Sequence, residues 1–184
     1  MDMNYTSLAI QALGLIAMAF NTLSYQQKKR STVIAMQMVG TFLFCIHFGL
    51  LGAAMGCILN ALSAVRAIIF LNKEKLHADR PVWLAGFIAV YIASYVLTFT
   101  VFGTTATVKN FVLEVLPLIG MVAITISFQL RDAKAIRKYA LISSPCWLVY
   151  NIANGSIGAV LCEVLSLSSI LIGMFRLDRI KQKG

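Results

Sequence analysis

The chain has 184 residues, 59% of them hydrophobic and only 12% charged, with a mean hydropathy of +0.82. Soluble domains carry about 25% charged residues, and at this size the surface is too large a share of the molecule to absorb so much apolar side chain. A water-soluble globule is therefore excluded, and a bilayer is the expected solvent. The net charge of +9 does not point to nucleic acid, because basic and aromatic residues are not interleaved on any polar face.

A membrane-crossing helix needs about 20 apolar residues, each adding ~1.5 Å toward a hydrocarbon core of ~30 Å. Seven segments meet this in chain order: Ser7–Tyr25, Thr32–Leu51, Ala53–Leu71, Pro81–Phe102, Phe111–Leu130, Tyr139–Asn154 and Ile157–Phe175. The first is preceded by Asp2 and followed by Lys28, Lys29 and Arg30. This reverses the charge order of a signal peptide, so a mature span is expected. Glycines at 49, 52 and 56 separate the second and third spans, and Asn154–Gly155–Ser156 separates the sixth and seventh. Cys45, Cys57, Cys146 and Cys162 all lie in apolar runs without metal-ligand spacing and read as small hydrophobes.

Threading these spans puts 14 of the 16 Lys and Arg on one side, after spans one, three, five and seven; Lys109 falls opposite and Arg66 lies within span three. The positive-inside rule then predicts an external N-terminus and a cytoplasmic C-terminus.

The stretch Ser24–Ser31 (SYQQKKRS) has a counterpart beginning at Ser127 (SFQLRDAK), 103 positions later. At that offset Leu13 meets Leu116, Met18 meets Met121, Thr22 meets Thr125, Gln26 meets Gln129, Gly52 meets Gly155 and Ser63 meets Ser166. The expected architecture is an all-α membrane protein of seven transmembrane helices, built as two parallel three-helix repeats joined by a linker helix. The units are residues 1–72 and 109–184, with the linker at 73–108. Parallel repeats of this kind build transporters whose substrate site lies between the units near mid-membrane. Duplication that merely builds a stable bundle is the competing explanation.

The three-plus-one-plus-three plan, with a Gln ending the first helix of each unit, resembles the PQ-loop superfamily, which includes the SWEET sugar transporters and the KDEL receptors. HFGLLGA at 47–53, EVLPLIGM at 114–121, CWLVYNIANGSIG at 146–158 and Glu163 are similar to the bacterial inner-membrane YgjV family. Where PQ-loop proteins place Pro before the Gln, this chain has Tyr25 and Phe128, so a proline-hinged rocking motion is not expected. Pro117 and Pro145 face Gly14 and Phe42 in the first unit, which makes any hinge asymmetric.

Ionisable groups within lipid are costly and mark functional sites. Glu163 is the leading candidate, and its repeat partner is Asn60. In SWEET-like proteins an Asn pair on these helices lines the pocket, so the resemblance implies Asn60 and Glu163 as substrate-binding residues. Glu163 is suited to touch substrate or accept a proton; a packing hydrogen bond is the plainer role. His47 and Tyr150 are also partners, as are Phe44 and Trp147. Residues three apart share a helix face, so each helix offers an aromatic with a polar group, suited to a small polar solute. An interfacial aromatic belt serves equally for Trp147 and Tyr150. Asn21, Gln26 and Gln129 are candidate inner-gate residues, and Asn151 an outer one. Arg66 is expected to snorkel toward the cytoplasm, and Glu114 to be a solvated carboxylate near Lys109. Trp83, Phe87, Tyr91, Tyr95 and Phe99 form one stripe, read as a packing or lipid face.

These readings predict a small-molecule transporter of the inner membrane, with protonation of Glu163 as one route to coupling. A non-transporting receptor or assembly protein is the alternative. No nucleophile–base pair, metal cluster or phosphate loop is present in the sequence, so neither catalysis nor a cofactor is expected. The bilayer is the expected partner, and a homo-oligomer is compatible with the plan.

Overall fold

The computed structural model describes residues 5–50, 54–101, 104–153 and 157–178, and these form eight helices. They are α1 (Tyr5–Ser24), α2 (Arg30–Leu50), α3 (Ala54–Leu71), α4 (Lys73–Leu76), α5 (Pro81–Thr100), α6 (Val108–Gln129), α7 (Ala133–Ala153) and α8 (Ile157–Gly173). A π-helical turn, Met174–Asp178, extends α8. The described residues of the seven expected segments lie almost entirely on helices, but the helices number eight. The eighth, α4, occupies the loop after α3 and is closed by His77 in the left-handed conformation (φ 47°). Four helical stretches are long and apolar enough to cross a membrane: Arg30–Leu50, Pro81–Thr100, Val108–Gln129 and Val160–Asp178. Ala9–Ser24 within α1 and Cys57–Leu71 within α3 are shorter apolar stretches. The outer turns at Gly52 and Gly155 lie outside the described residues.

Local chemistry sets several ends. Pro81 starts α5, where its missing N–H costs no hydrogen bond. Thr107 caps α6 by accepting from the Asn110 amide at 3.2 Å. Asp132 accepts from the Ala135 amide at 2.5 Å, so α7 begins at Ala133. That is six residues before the segment read from hydropathy, which stopped at the charges Lys134, Arg137 and Lys138.

Packing divides the helices into two triplets. In one, α2 lies against α1 and α3; in the other, α7 lies against α6 and α8. Between triplets α1 touches α8, α3 touches α6 and α2 touches α7, while α5 packs on α6. Exchanging α1 with α6, α2 with α7 and α3 with α8 carries this set of triplet contacts onto itself. The aromatic stripe of α5 is a packing face: Phe87 and Tyr91 are buried, and Phe87 stacks on Phe70 with ring centroids 6.0 Å apart.

The ends of α1, α3, α6 and α8 gather with the starts of α2 and α7 at what we term the basic end. The buried core sits there: Val33 and Ile34 on α2, Phe70 on α3, Phe128 on α6, Ile136 on α7 and Ile170 on α8. Three cations staple it. Arg30 donates to the carbonyls of Phe70 (3.2 Å) and Phe128. Lys73 donates to the Gln129 carbonyl. Arg137 donates to the carbonyls of Tyr25 (3.3 Å) and Gln27 (2.9 Å). Cations suit these positions because helix C-termini carry unsatisfied carbonyls and partial negative charge. Tyr25 and Phe128 stand 103 residues apart, so each triplet's first helix is capped, at the same position, by an arginine of the other triplet.

Candidate functional site

Bordering the packed core, the triplets surround a half-open cavity of about 500 Å³. Its walls come from α1, α2, α3, α6, α7 and α8, with none from α5. Glycines allow the aromatic walls to approach. A Cβ on Gly14 would lie 2.9 Å from His47 Cε1, and one on Gly120 would lie 3.0 Å from Trp147 Nε1.

Asn60, Glu163, Phe44, His47 and Trp147 all line this cavity. Ser144 lines the cavity together with Glu163. His47 is buried, and its Nδ1 lies 2.8 Å from the Ile10 carbonyl. A carbonyl only accepts, so Nδ1 carries a proton in this contact. Tyr150 is elsewhere. It lines a separate cavity of about 80 Å³ with Glu114, Tyr91 and Tyr95. Three residues leave about 60° between side chains around a helix, enough to put Trp147 on one cavity and Tyr150 on the other. Glu114 is correspondingly half-buried rather than a solvated surface group.

Asn21 and Asn151 line the main cavity, whereas Gln26 and Gln129 do not. Gln26 donates to the Ser169 carbonyl (2.5 Å) and hydroxyl (2.9 Å), tying α1 to α8. Gln129 donates to the Arg80 carbonyl at 3.3 Å. Both glutamines thus hold connections at the basic end, while the residues before them, Tyr25 and Phe128, line the cavity. The matched aromatic–Gln pairs, Tyr25–Gln26 and Phe128–Gln129, are the sequence signal for these two lining residues.

Arg66 overturns its expectation. It is 7% exposed, lines the cavity and turns inward rather than toward the basic end. Its Nη1 donates to Tyr91 Oη (3.1 Å), the Met121 carbonyl (3.3 Å) and Thr125 Oγ1 (3.5 Å). Its guanidinium carbon lies 5.3 Å from the Phe128 ring centroid. These partners, supplied by α5 and α6, draw the side chain across the bundle. Among the described residues no cluster of three His, Cys, Asp or Glu is placed to hold a metal ion.

An all-helical bundle with several membrane-length apolar helices, its polar side chains turned onto an internal cavity, defines the class: an integral membrane protein with an internal polar site. A family model described as a bacterial inner membrane protein, YgjV, matches residues 8–181. The chain belongs to that family. No curated protein and no solved structure matched the chain.

Proposed function

We propose that this protein is a small-molecule transporter of the bacterial inner membrane, with its substrate site between two parallel three-helix units and α5 as the linker. Seven of its helices cross the bilayer, with the N-terminus outside and the basic end in the cytoplasm, as the distribution of Lys and Arg favours. The observation that carries the reading is the cavity itself: about 500 Å³, walled by all six helices of both triplets, with Asn60 and Glu163 among its lining. The interchangeable contact pattern of the triplets supports the two-unit plan, as in transporters built from parallel repeats. Asn60, Glu163, Phe44, His47 and Trp147 contact the solute. Tyr25 and Phe128 close the cavity toward the basic end, and protonation of Glu163 couples transport to a proton gradient.

The stapled basic end also favours a second reading, a non-transporting receptor or assembly protein with a one-sided pocket. The two separate on uptake. Purified protein is screened for stabilising solutes, and each hit is tested in proteoliposomes beside Glu163→Gln. Uptake by wild type that Glu163→Gln abolishes or uncouples, at unchanged yield, supports transport. Binding without uptake favours the receptor.

A further inference from the structure

Arg66 is a buried cation on the cavity wall that makes no ion pair among the described residues, although Glu163 lines the same cavity. The one ion pair among the described residues is Arg137–Asp178, at the basic end. Hydrogen bonds from Nη1 orient the guanidinium without cancelling its charge, and an unneutralised charge in a low-dielectric bundle is costly. The three hydrogen bonds of Arg66 among the described residues all leave from Nη1. Its Nε is buried and has no acceptor among the described residues. The edge formed by Nε and Nη2 is the one that grips a carboxylate with two parallel hydrogen bonds.

The second triplet shows what this position needs for packing alone. Arg66 and Ser169 are 103 residues apart, as are Thr125 and Thr22. Arg66 bonds Thr125 across the α3–α6 contact, and Ser169 donates to the Thr22 carbonyl at 2.6 Å across the α1–α8 contact. A small neutral hydroxyl holds the second contact, so a contact at this position does not by itself call for a cation.

We propose that Arg66 anchors the solute, and that the solute carries a carboxylate: an organic acid or zwitterion whose carboxylate accepts from Nε and Nη2. A hydroxyl or amino group on the same solute donates to Glu163. This rests on the transporter reading and narrows its substrate class, because the lone acid Glu163 by itself favours a neutral or cationic solute.

The test is thermal stabilisation of the purified full chain by a library of small acids, zwitterions, polyols and amines. The library includes the matched set gluconate, sorbitol and glucosamine. Acids or zwitterions are expected to raise the melting temperature while their neutral and cationic counterparts do not. Arg66→Lys keeps the charge but loses the fork, and is expected to weaken the hits by about tenfold or more. Stabilisation by sorbitol-like or glucosamine-like members at least as strong as by acids overturns the carboxylate assignment and leaves the solute site standing. Acid binding unchanged in Arg66→Lys overturns the anchoring role. No shift anywhere in the library counts against the transporter reading and carries this inference down with it. Should Arg66→Lys not purify, the wild-type ranking by charge class decides alone.

Discussion

Arg137 and Asp178 join the start of α7 to the last turn after α8, with Arg137 Nη2 lying 2.5 Å from Asp178 Oδ1. Nε donates to the second carboxylate oxygen at 3.0 Å, which makes the pair bidentate. Their side chains are 3% and 9% exposed, and Nη1 of the same arginine caps the end of α1. One residue thus fastens three helix ends beside the buried core.

Removing one partner of a buried pair strands the other charge. Arg137→Met is expected to destabilise the protein by about 3–5 kcal/mol, read as a lowered melting temperature in detergent. Because the two residues act together, adding Asp178→Asn should cost less than the sum of the single changes. Full additivity would mean that the pair carries no coupling.

Cys45 on α2 and Cys57 on α3 have their sulfurs 3.4 Å apart, and both are free thiols. Only a small approach separates that contact from bonding distance. A mild oxidant is expected to lower the titratable thiols from four to two, and Cys45→Ser should leave the remaining three unreacted. Loss of Cys146 or Cys162 in place of this pair would contradict the α2–α3 packing.

Lys73 lies on α4, outside the long apolar helices, with its Nζ on the Gln129 carbonyl. Burial, and then the Arg30 charge nearby, push its pKa below the ordinary 10.5. Above the lowered value the folded protein has released this proton while the unfolded chain still holds it. Stability from this group should therefore rise with pH from the lowered folded pKa up to about 10.5, and should be flat below that window. The difference between wild type and Lys73→Met, followed across that range by thermal unfolding, isolates the effect; a difference that stays level would refute it.

Much of the fold is legible along the chain because hydropathy and turn chemistry are local. Seven apolar runs separated by Gly, Asn or charges became the seven long helices. Asn60 and Glu163, 103 residues apart in the sequence, line one cavity. The direction of individual side chains was not local. Tyr150 differs from Trp147 by a fraction of a turn, and only the placement of α5 and α6 decides which cavity it meets. Gln26 and Gln129 read as gate residues, yet carbonyls on α8 and in the connection before α5 claim them. Arg137 looked like a loop charge until Asp178, distant in sequence, supplied its counter-ion.

The sequence by itself determined the solvent, the number of long helices and the end of the bundle that is basic, since each follows from summed transfer free energies of short segments. Tertiary structure alone decided that Arg66 turns inward and that Tyr25 and Phe128 line the cavity. Those outcomes depend on donors, acceptors and rings brought together from helices far apart in the chain, and no local pattern records which neighbour a side chain will find.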